Sequence, residues 1–145
     1  MLERLYANLG APAEFRAPGR VTGAGRLVVS LDRQWGFGEV LVEAVGADTT
    51  TEIRRALADL CAVAETEVVY LYLPLAQPGT PELCLAAEAD GFFFGGIGPR
   101  FAKDGDVLCL QYVAGHLDTG LLQIASPFGK ELLDYVNAER TRVRA

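Results

Sequence analysis

The stretch that most constrains this chain is residues 67–75, "EVVYLYLPL". It is almost continuously apolar, rich in Val and Tyr, and stopped by Pro74. A run this short falls well below the roughly 20 apolar residues of a membrane span. Its composition is that of a sheet strand, and its lack of polar alternation predicts a strand covered on both faces. The 145 residues suit one domain, taken as residues 1–145, with a single core. Half of them are hydrophobic and the mean hydropathy is +0.20. That leaves apolar surface for a protein partner or a ligand, with a homodimer as the simplest use.

The elements around this strand follow from local chemistry. In "LERLYANL", Leu2, Leu5, Tyr6 and Leu9 fall at helical spacing, and Gly10 with Pro12 ends the run. A Gly/Pro-rich loop, "GAPAEFRAPGRVTGAG", comes next. "RLVVSL" and "EVLVEAV" flank "DRQWGFG" as in a hairpin, whose Trp35 and Phe37 are expected to cover a core edge or line a pocket. Thr49 and Glu52 have the spacing of a capping box. After them Ile53, Ala56, Leu57, Leu60, Cys61 and Ala64 form an apolar stripe, with Arg54, Arg55 and Asp59 away from it.

Further on, Thr80-Pro81 starts a helix and Gly91 stops it. In "GFFFGGI", Phe92 and Phe94 point to one side of a strand and Phe93 to the other. Gly95, Gly96 and Gly98 allow a bulge, and Pro99 closes the run. "DVLCLQYV" returns antiparallel across "AKDGD". A last helix starts near Ser126-Pro127 and carries Phe128, Leu132, Tyr135 and Val136 on one face.

Composition excludes several functions. With 13 basic and 19 acidic residues, a net charge of -6 and a pI near 4.8, the chain repels nucleic-acid backbones, and the tail arginines Arg140, Arg142 and Arg144 read as a solvated end. Cys61, Cys84 and Cys109 have no ligand spacing and read as buried reduced thiols. His116, the single histidine, reads as a loop residue, so no metal site is expected. "MLERLYANLG" lacks the apolar centre of a secretory signal. A bacterial-style cytoplasmic protein without membrane attachment is the expectation.

From residue 39 to residue 113 the order of elements resembles the second half of the GNAT acyltransferase fold, and Gly91-Phe92 is similar to the Gly-Phe pair that opens that family's penultimate strand. The chain most resembles the GNAT-like domains that follow anti-sigma-type ATPase modules in some bacterial regulators. The matching residues are Leu73-Pro74-Leu75, Pro78, Gly91 through Phe94, Gly96, Pro99, Gly105-Asp106 and Leu110-Gln111-Tyr112. The resemblance implies an α/β (α+β) fold: a GNAT-like mixed central sheet flanked by helices, with a reduced N-terminal half.

It also implies a site. In the family two parallel strands splay, the pantetheine arm of acyl-CoA pairs with the freed backbone, and the pyrophosphate rests on the next helix start. The matching cofactor-binding residues are Val45, Gly46, Ala47, Thr49, Thr50 and Thr51 in and before "GADTTTE". This loop lacks the family's glycine and arginine pattern, and Asp48 and Glu52 place negative charge where phosphate would lie. "RVTGAG", residues 20–25, matches that pattern but precedes a strand, so it is expected to have no helix start to join. The family's general-acid tyrosine falls on Ala87. Glu39 and Glu43, on one face of a strand, and Tyr112 are the remaining candidate catalytic residues, with Tyr70 and Tyr72 as further phenols.

Two functions are therefore carried forward: a ligand-binding or regulatory domain with a degenerate acyl-CoA site, and an active acyl-CoA-dependent N-acyltransferase acting on a small amine or a protein.

Overall fold

The computed structural model describes residues 1–15 and 19–145; the part of the Gly/Pro-rich loop at residues 16–18 lies outside the described residues. In chain order the elements are α1 (Leu2–Leu9), β1 (Arg26–Asp32), β2 (Phe37–Ala44), α2 (Thr49–Cys61), β3 (Val68–Pro74), α3 (Thr80–Ala89), β4 (Phe93–Ala102), β5 (Gly105–Val113), and α4 (Pro127–Arg144), the last preceded by a short 3₁₀ turn at Thr119–Leu121. The five strands form one mixed sheet in the order β1-β2-β3-β5-β4. Among the described residues only the β2/β3 pair is parallel; α2 makes its crossover. This is an α+β fold, consistent with a GNAT-like layout.

All four helices serve one core on one face of the sheet. Strand registers align Val40, Leu71, Leu110 and Phe94 across β2, β3, β5 and β4, so these side chains share a face. Against them pack Leu5 of α1, Ile53, Ala56 and Leu60 of α2, and Leu83 and Ala87 of α3. Phe128, Leu132, Tyr135 and Val136 of α4 close the same cluster. The caps explain where two helices end or begin: Gly10 takes a left-handed φ of 63° after α1, and the Ser126 hydroxyl accepts from the Gly129 amide at the start of α4.

The three phenylalanines divide as alternation requires. Phe92 and Phe94 join the helix-side cluster, while Phe93 is fully buried outside it, on the face that also bears Tyr70 and Gln111. The register of β4 against β5 slips between Phe94 and Gly96, which is the bulge the glycines allow.

Several local expectations are corrected. Residues 68–74 alternate: Val69, Leu71 and Leu73 are buried, whereas Tyr70 and Tyr72 are half-buried, because no helix packs its core residues onto their face. Pro99 does not end β4, which runs to Ala102 through a second irregularity. Trp35 does not cover the core; it is 71% exposed at the tip of the β1–β2 hairpin. Cys61 is exposed at the end of α2, and Ala64 lies beyond that helix. No capping box forms. The N-cap of α2 is Asp48, the Thr49 hydroxyl turns back to Gly46, and Glu52 pairs with Arg55. Thr80 is likewise the first residue of α3, not its cap, and its hydroxyl donates to the Pro74 carbonyl.

Candidate functional site

The parallel pairing of β2 with β3 runs from Phe37/Val68 to Leu41/Tyr72 and stops there. Beyond it β2 stays paired with β1 and β3 stays paired with β5, the latter as far as Pro74. The strands therefore part over their last residues, where the resemblance places a slot. A local cause is visible in β2: its register against β1 slips between Arg26/Ala44 and Leu27/Val42, so Glu43 is an extra residue that bends the strand.

The slot contains a side chain of the protein. The Gln77 amide lies between the parted strands, its Oε1 accepting from the Val45 N–H at 2.7 Å and its Nε2 donating to the Glu43 carbonyl at 2.9 Å. One acceptor and one donor, aimed at residues two apart on one strand edge, are what an added strand would offer. Nε2 also reaches Asp104 Oδ2 at 3.0 Å, which ties the β4–β5 turn to the same point. Beside it lies a cavity of about 320 Å³ lined by Arg26, Leu41, Val42, Glu43, Phe101 and residues 102–104. That is the size of a small-ligand pocket.

The start of α2 is covered as well. Gly46 N–H donates to Thr49 Oγ1 at 2.8 Å, and Thr49 is fully buried. Ala47 N–H donates to the Gly23 carbonyl at 3.0 Å, and Gly25 N–H donates to Asp48 Oδ1 at 2.7 Å. A Cβ on Gly46 would overlap the Gly25 backbone. Residues 23–25 therefore lie against the helix start, contrary to the expectation that "RVTGAG" has no helix start to join. The antiparallel hairpin explains this: the residue entering β1 must lie beside the residues leaving β2. The residues present do not fit acyl-CoA in this arrangement, since the Val45 amide is bonded to Gln77 and the Gly46 and Ala47 amides to Thr49 and Gly23.

The catalytic candidates are not brought together. Glu39 lies on the sheet face away from the helices, where its carboxylate accepts from the Tyr72 hydroxyl at 3.1 Å and from the Ser30 hydroxyl at 3.3 Å. Glu43 shares that face but is engaged by Arg26, whose Nε donates to it at 2.6 Å. Tyr112 is on the opposite face. It pairs with Val69, its ring lies 5.8 Å from that of Phe92, and it packs on the helix-side core. Ala87 is buried there too.

Tyr72, and not Tyr112, is the phenol that meets Glu39. Burial first, then Cys109 and Glu39 nearby, push its phenol well above the ordinary range, so it stays protonated and donates to Glu39. Tyr70 stacks on it at 6.4 Å and Phe101 approaches at 5.2 Å. Cys109 sits opposite Tyr72 in β5, and burial, with Glu39 nearby, pushes its thiol up to about 11. The result is a half-buried aromatic surface with one carboxylate held by two hydroxyls. It is suited to binding, and its thiol is not activated for nucleophilic attack. The spacing of Glu39 and Glu43 and the phenols Tyr70, Tyr72 and Tyr112 were visible in the sequence; nothing there marked Gln77.

His116 is exposed in the loop after β5, and no group of three or more metal-ligating side chains occurs among the described residues. Among the described residues no helix is long and apolar enough to cross a membrane. No protein-family model matches the chain, and no curated protein matches it.

Proposed function

We propose that the chain is a GNAT-like ligand-binding or regulatory domain whose acyl-CoA slot is degenerate and which does not carry out normal acetyl transfer. The observation that carries this reading is the Gln77 amide, which satisfies the Glu43 carbonyl and the Val45 N–H that a pantetheine arm would use. Acyl-CoA would have to displace two hydrogen bonds here and a third to Asp104, and then separate Gly25 from Asp48 to reach the helix start. The pairing of Glu43 with Arg26 and the placement of Tyr112 across the sheet support the same conclusion. The ligand is instead a small molecule seated beside Gln77, or a protein. The resemblance to bacterial regulator domains points to a protein partner of the anti-sigma ATPase type.

Calorimetric titration with acetyl-CoA and longer acyl-CoAs, paired with thermal shift, tests this. No saturable heat and no rise in melting temperature are expected at ligand concentrations up to about 1 mM, since a ligand at 100 times its Kd would stabilise the fold by about 2.7 kcal/mol. Saturable micromolar binding to the unaltered protein would overturn the reading in favour of an acyl-CoA-dependent N-acyltransferase acting on an amine or a protein.

A further inference from the structure

The two edges of the sheet are built differently. At one edge, β4 is interrupted between Phe94 and Gly96 and again between Gly98 and Ala102, contains Pro99, and is backed by α4 through the Phe94–Tyr135 ring contact. Bulges, proline and cover are devices that keep a strand edge from recruiting another. At the other edge, β1 has none of them on its outer side. Its seven residues, "RLVVSLD", include no glycine or proline, and its middle exposes Val28 at 49% and Val29 at 45%. It is the last strand of the sheet order, so its outward backbone groups have no strand beside them among the described residues.

The sequence of β1 is self-complementary when reversed. If a second copy pairs antiparallel about a twofold axis at Val29, Leu27 faces Leu31 of the second copy and Val28 faces its Ser30. Arg26 faces its Asp32 at both ends. A twofold axis perpendicular to the sheet keeps the helices of both copies on one side, so permitted registers differ by steps of two residues. A shift one way sets Arg26 against Ser30; the other way sets Asp32 against Val28. Only the register centred on Val29 pairs all seven residues and both charges. The charged groups have capacity to spare: Arg26 gives its Nε to Glu43 while its side chain is 66% exposed, and only Asp32 Oδ1 is taken up, by the Trp35 amide. Ser30 and Asp32 also line an open groove together with Phe37 and Glu39, so pairing would set two such grooves side by side.

We infer that β1 is a homodimerisation edge, joining two copies into one continuous ten-stranded sheet by antiparallel β1–β1 pairing centred on Val29. This inference stands apart from the fate of the acyl-CoA slot.

Sedimentation velocity over a concentration series tests it, with circular dichroism to check that each variant is folded. The unaltered protein is expected to show a monomer–dimer equilibrium. Asp32→Arg and Arg26→Asp, each of which sets like charges together at both ends, are expected to weaken dimerisation about ten-fold or more, and their combination to recover most of that loss. Val29→Lys is expected to leave only monomer, and hydrogen exchange at β1 amides should slow as the unaltered protein is concentrated. A strictly monomeric protein would overturn the inference, as would a dimer indifferent to Val29→Lys. Single charge reversals that weaken the dimer without recovery in the double variant would overturn the register centred on Val29.

Discussion

The two faces of the sheet solve different problems with the same strands. On the helix side, Val40, Leu71, Leu110 and Phe94 meet side chains from four helices and are almost wholly buried. On the other side, Glu39, Tyr70 and Tyr72 remain half-buried, linked by a carboxylate–phenol hydrogen bond and ring stacking. One face is closed by helices; the other buries Phe93 and Val107 but leaves Tyr70 and Tyr72 half-open. Neighbouring residues in β3 thus have opposite fates, because each step along a strand reverses the side chain's direction.

The contrast is sharpest in denaturation experiments. Phe92→Ala, on the helix side, is expected to lose about 3–5 kcal/mol of stability, as deletion of a fully buried ring does. Glu39→Gln, on the other face, should stay within about 0.5 kcal/mol. Urea unfolding of both variants checks the pair, and similar losses would erase the distinction between the faces.

A smaller effect is expected at the slot. Gln77→Ala removes two hydrogen bonds to β2 and should cost about 1–2 kcal/mol. It should also speed amide exchange at Val45. If exchange there is unchanged, Gln77 does not close the slot in solution.

The smallest effect concerns pH and a bond at the rim of the sheet. The Tyr6 hydroxyl donates to Asp106, at the start of β5. Burial, together with that bond, pushes the phenol from 10.0 up to about 12, while the bond from Tyr6, followed by the Arg100 amide, holds the carboxylate below its ordinary 3.8. A raised phenol pKa adds stability that is complete below pH 10 and is lost as pH rises from 10 toward 12. A lowered carboxylate pKa adds stability present above pH 3.8 and lost as pH falls below it. Tyr6→Phe should therefore lower the melting temperature most between pH 3.8 and pH 10, where the bond is intact, and less at the extremes, where the unaltered protein has already lost it, so that both limbs of the profile flatten. An unaltered acid limb would detach Asp106 from Tyr6.

Much of the fold was legible because its signals are local. Helical spacing in residues 2–9 gave α1, the Ser126-Pro127 pair gave the start of α4, and the glycines after Phe94 gave the bulge in β4. The capping box at Thr49 failed because the nearby Gly46 amide had a stronger claim on that hydroxyl in the buried turn. The site was less legible. Glu39 and Tyr112 look equivalent as polar groups on strands, yet the register of β3 with β5 sends Tyr112 to the helix side.

By itself the sequence determined the kinds and order of the elements, the absence of a metal-ligand pattern in its cysteines and histidine, and the acidic charge, since each depends on residue type and short-range spacing. Tertiary structure alone decided that Gln77 enters the slot, that residues 23–25 lie on the start of α2, and that Tyr72 is the phenol beside Glu39. Those contacts join residues about 20 to 35 positions apart, and strand register, a property of the assembled sheet, fixes which of them meet.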